Sequence, residues 1–160
     1  MRTFPFWLIG LVASCGDSPP ADVAGTYTIN LTNGANGCNL ENWTEGNTSS
    51  GIPVVITQAD ATASAEVMGL AAVALDVALA GHVFTGDVDG DDLNLAITGT
   101  RSATSGNCTY TYNALLDATL AGDVLTGTIS YQAATNDNSD CAALEGCASV
   151  QNFNGTRPPS

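Results

Sequence analysis

At 160 residues, 44% of them hydrophobic and 12% charged, the chain can build one domain with its own core and is too short for two. Its net charge of −13 sets 16 acids against three basic residues. Such a surface repels phosphate backbones and anionic headgroups, which excludes nucleic acid and anionic membrane surfaces as specific partners.

The first stretch, MRTFPFWLIGLVASC, carries one basic residue, Arg2, and then an apolar run over 4–12 that is too short to span a bilayer. It reads as a secretion signal over 1–14. Val12-Ala13-Ser14-Cys15 resembles the lipobox of bacterial lipoproteins. The resemblance implies that Cys15 is diacylated, becomes the new first residue and tethers the protein to a membrane. Gly16 rather than aspartate follows it, which by the sorting rule of some Gram-negative bacteria implies the outer membrane. The expectation is therefore an exported, lipid-anchored envelope protein. Loss of the signal leaves Arg101 and Arg157 against the same 16 acids, a net charge of −14. Residues 15–24 then form the lipidated cysteine and a short polar linker, and 25–157 the folded domain.

Within that domain the apolar residues alternate with polar or small ones, the signature of strands with one buried face. Strand one is expected at 25–32, with Tyr27, Ile29 and Leu31 inward. A loop over 33–50 follows, rich in Asn, Gly and Ser. Strand two, 52–58, turns near Ala59-Asp60 into a run from Ala63 to Leu79 whose odd positions are apolar or glycine. That run reads as one bent strand or two broken near Gly69, with a helix within 63–79 as the alternative. A turn at Gly81-His82 would then set Leu79 opposite Phe84 and Val77 opposite Gly86. A second turn at Gly90-Asp91 sets Val88 opposite Leu93 and Gly86 opposite Leu95, and leaves one face wholly apolar. LAGHVFTGDV over 79–88 recurs as LAGDVLTGTI over 120–129, where Gly122-Asp123 pairs Leu120 with Leu125 and Leu116 with Ile129. Strands at 108–120, 124–133 and 149–156 complete the set.

Eight strands with local connections predict an all-β domain, a single antiparallel up-and-down barrel with strand eight beside strand one; a flattened sandwich is the alternative. The strand pattern, with Gly25-Thr26-Tyr27 and Phe84-Thr85-Gly86, is similar to lipocalin-like and avidin-like meander barrels. No biotin site carries over, because Trp43 is the only tryptophan beyond the signal. In a meander the connections alternate ends, so the loops 33–50, 101–107 and 134–148 gather at one end. The chain enters strand one at the other.

An exported chain makes two disulfides the default for Cys38, Cys108, Cys141 and Cys147. The expected pairs are Cys141 with Cys147 and Cys38 with Cys108. Trp43, flanked by Glu41 and Glu45, and the inward-facing Tyr110, Tyr112 and Tyr131 are the candidate binding residues for a small apolar or sugar ligand. Asp76, Asp87, Asp89 and Asp92 share one outer face in this register, which makes calcium the only cofactor to consider; DVDGDD lacks the glycine and glutamate of an EF-hand loop, and a solvated acidic turn is the ordinary reading. Catalysis has little support: His82 is the sole histidine, no GxSxG occurs, and no carboxylate pair stands out for a hydrolase. The functional expectation is a small-ligand binding module acting through its long-loop end or barrel interior, against a structural surface domain with no ligand.

Overall fold

The computed structural model describes residues 19–159. The signal, Cys15 and the first linker residues lie outside that range. Nine strands follow one another: β1 Gly25–Asn36, β2 Thr48–Ala59, β3 Thr62–Val67, β4 Val83–Asp89, β5 Asp92–Ile97, β6 Ala103–Ser105, β7 Cys108–Ala121, β8 Val124–Thr135 and β9 Ala148–Thr156. A helix, α1 Gly69–Leu79, joins β3 to β4, and a short 3-10 turn spans Ser139–Cys141.

Eight of the strands close an antiparallel barrel. β9 lies between β1 and β8, and closure comes from β5 on β7, where Leu93 meets Ala118, Leu95 meets Leu116 and Ile97 meets Ala114. Closure leaves no long unpaired edge. The short β6 extends the β7 ladder beyond the end of β5, pairing Ala103 with Tyr110.

Two hairpins keep the register expected of them. Val88 faces Leu93 and Asp89 faces Asp92 across Gly90-Asp91; Leu120 faces Leu125, Ala118 faces Gly127 and Leu116 faces Ile129 across Gly122-Asp123. A slip by one residue in either would turn a whole apolar face to water.

The segment before β4 departs from its expected strand. Residues 69–79 are helical, and the partner of β4 is β3, with Ala65 opposite Phe84 and Ala63 opposite Gly86. LAAVALDVAL is apolar at almost every position, so an alternation drawn through it is no stronger than a helical period, and alanine favours the helix. Gly81-His82 is thus the helix exit, where Ala80 adopts a left-handed conformation with φ 62° and its N–H donates to Asp76 O. The direction of the chain is unaffected, because α1 starts and finishes at the mouth where β3 ends and β4 begins.

The interior is filled. Tyr27, Phe84, Leu93 and Leu79 are essentially inaccessible, and the space left among Ile29, Val54, Phe84, Leu95, Leu125 and Phe153 is about 30 Å³, near that of one water. Small inward residues therefore bring walls together: a Cβ on Gly155 would collide with the Ile29 side chain, and one on Gly127 with Ala118 Cβ at 2.7 Å. The tight-turn end is sealed by Val23, whose carbonyl accepts from Tyr27 OH at 3.0 Å. Arg157 holds this plug, donating to Asp123 Oδ1 at 3.1 Å and to the carbonyls of Asp22 and Ala24.

Candidate functional site

At the opposite end, where the long connections meet, α1 does not close the barrel mouth flush. Leu79 drives into the core and is 1% exposed, and its carbonyl accepts from Thr100 N at 3.0 Å. Leu75 and Ala71 rest on the rim. Between this helix and the outer ends of the strands lies a half-open cleft of about 610 Å³, within the range of small-molecule sites. Its walls are Trp43, Leu40 and Glu41 from the β1–β2 loop, Ala71, Ala74, Leu75, Ala78 and Leu79 from α1, Tyr110 and Tyr112 from β7, Tyr131 from β8, and Arg101 to Ala103.

The disulfides secure these loops in pairs different from those expected. Cys38 joins Cys147 and Cys108 joins Cys141. The reason is strand order: Cys147 directly precedes β9, the neighbour of β1, whose end leads to Cys38, and Gly37 N donates to Ala148 O at 3.1 Å. Cys108 starts β7, the neighbour of β8, whose outgoing chain curls through the 3-10 turn to Cys141. All four cysteines do lie at the long-loop end. Side-chain hydrogen bonds complete the framework: Ser149 Oγ accepts from Cys38 N and donates to Asn36 Oδ1 at 2.8 Å, while Asn107 N and Nδ2 both donate to Asp140 Oδ2.

The aromatic side chains are fixed by their polar ends. Trp43 Nε1 donates to Gly34 O at 2.9 Å, and the indole meets Tyr131 edge to face, with ring centroids 6.0 Å apart. Tyr131 OH donates to Gln151 Oε1 at 3.0 Å, and burial pushes its pKa up to about 12. Tyr110 and Tyr112 form a second edge-to-face pair at 5.6 Å. Burial raises the Tyr112 pKa, with a smaller contribution from Tyr110. Tyr112 and Tyr131 are therefore neutral near pH 7.

No protein-family model, characterised protein or solved structure matches this chain.

Of the residues singled out from sequence, Glu41, Trp43, Tyr110, Tyr112 and Tyr131 converge on the cleft; Glu45 is not part of its lining. The α1 wall was missed because α1 was expected as a strand. Arg101 falls in the loop 101–107 at this end, and a cation in so acidic a chain is the signal that could have marked it. The acidic face does not assemble as expected. Asp87 lies opposite Asn94 and, on its other side, Thr62 rather than Asp76, because β3 holds the place assigned to 73–79. Asp76 sits on α1, where its Oδ1 is 2.8 Å from His82 Nδ1, and Asp92 Oδ1 accepts from Thr119 Oγ1 at 2.6 Å. Among the described residues no three His, Cys, Asp or Glu side chains are grouped to hold a metal.

Proposed function

We propose that this is an exported, lipid-anchored envelope protein that binds a small, largely apolar ligand in the cleft between α1 and the barrel mouth. The observation that carries the reading is the cleft itself: the aromatic rings of Trp43 and Tyr131 line it while their polar atoms are already bonded within the protein. A ligand there would displace water from ring and alkyl surfaces without breaking those bonds. The binding place is the mouth rather than the filled interior. The two disulfides suit an oxidising compartment, in keeping with export and with the lipobox resemblance at Cys15. Because β1 starts at the sealed end, a tether at Cys15 would leave the cleft facing away from the membrane.

Native mass spectrometry of protein purified from its own host tests both parts. The expected spectrum shows acyl mass on the peptide beginning at Cys15 and a small-molecule adduct that is lost in Trp43→Ala. A folded protein that consistently carries no adduct overturns the binding reading and favours a structural surface domain, for which the filled interior speaks. An unacylated protein that retains the signal overturns the anchor.

A further inference from the structure

We infer that the cleft selects an amphiphilic anion, an apolar body ending in a carboxylate, and that Arg101 receives the carboxylate. This rests on the proposed binding function and adds the chemical class of the ligand. Beyond the expected signal the chain has two arginines and 16 acids. Arg157 is fully engaged at the sealed end, with Asp123 and two carbonyls. Arg101 is exposed, lines the cleft, and has no carboxylate within ion-pairing distance among the described residues, where the ion pairs belong to His82 and Arg157. Among the described residues, in a chain so rich in carboxylates, the one guanidinium without an acid beside it borders the apolar cleft.

Suitable hydroxyls belong to residues that line the same cleft. Tyr27 OH and Tyr131 OH are bonded to protein acceptors, whereas the hydroxyls of Tyr110 and Tyr112 have no partner among the described residues. Arg101 shares the lining of the cleft with both of these tyrosines, and Ala103, two residues after it, pairs with Tyr110. A guanidinium presents a planar fork that matches a carboxylate, and a neutral phenol donates a further hydrogen bond to it. The apolar body would lie against Leu75, Leu79, Trp43 and Tyr131. Glu41 borders the same cleft, so a cationic head is the competing outcome.

Isothermal titration calorimetry of the intact folded domain with octanoate, 1-octanol and octylamine decides the matter, since the three share a body and differ in the head. Octanoate is expected to bind about tenfold tighter than octanol, the low end for a charge-assisted hydrogen bond at an exposed group. Arg101→Gln should weaken octanoate about tenfold and so erase that preference, with octanol affected far less, and Arg101→Lys should keep part of it. Tightest binding by octylamine, equal binding of octanoate and octanol, or loss of octanol binding in Arg101→Gln each overturns the assignment while the binding function stands. Failure of all three to bind also overturns it, and if the host-purified protein carries no adduct the binding function falls with it.

Discussion

Removing the Cys38–Cys147 disulfide tests how the loop end is built. The bridge closes a separation of 109 residues and Cys108–Cys141 one of 33. Chain-entropy arithmetic converts these to about 4.8 and about 3.7 kcal/mol of destabilisation of the unfolded chain, and the usual cost of losing a native bridge is about 2 to 5 kcal/mol. Cys38→Ala/Cys147→Ala is therefore expected to lose roughly 3 to 5 kcal/mol in urea titrations. Its m-value should rise, because the freed denatured chain exposes more surface. Acrylamide should quench Trp43 more readily, since the bridge holds the loop that carries it against β9. The pairing itself is read by cleavage after Glu41, Arg101 and Glu145 without reduction: peptide 102–145 should be released alone, with Cys108 and Cys141 joined inside it. If that peptide stays linked to those bearing Cys38 and Cys147, or if the double variant loses less than about 1 kcal/mol with m unchanged, the loop-end account is wrong.

Other outcomes follow from single contacts. Gly127→Ala should destabilise by about 1 to 3 kcal/mol, because its methyl would meet the Asp117 carbonyl and Ala118. Gly122→Ala, with open space at its Cβ and φ of +63°, should cost about 1 kcal/mol; the reverse order in chemical denaturation would refute the packing argument. Leu79→Ala should cost about 2 to 5 kcal/mol and detach α1 from the rim, whereas Leu70→Ser, 89% exposed, should change stability by less than about 0.5 kcal/mol. The His82 pKa is raised, chiefly by its hydrogen bond to Asp76; desolvation opposes this, and the charges of Asp76 and Glu66 add lesser raising contributions. A raised folded-state pKa means that this contribution is complete below the unfolded value of about 6.5 and fades as pH climbs through the folded value. NMR titration of this single imidazole should show its midpoint fall in Asp76→Asn; an unmoved midpoint would sever the link.

Much of the barrel was legible because its hairpins are locally over-determined. Around Gly90-Asp91 and Gly122-Asp123 only one register keeps the apolar residues on a common face, so side-chain parity alone aligned β4 with β5 and β7 with β8. The same parity gathered Trp43, Tyr110, Tyr112, Tyr131 and the four cysteines at one end. It failed at 69–79, where nearly every residue is apolar and neither period stands out, and that failure also hid one wall of the cleft and set Asp76 beside Asp87.

What the sequence determined by itself was the antiparallel meander and which end bears the loops, since both depend on alternation and on turn positions within short spans of chain. Cysteine partners, the helix lying over the mouth and the recess beside it were decided only by the tertiary structure. Each depends on which strands become neighbours once β5 meets β7 and β9 meets β1, contacts between segments far apart in the chain that no local pattern records.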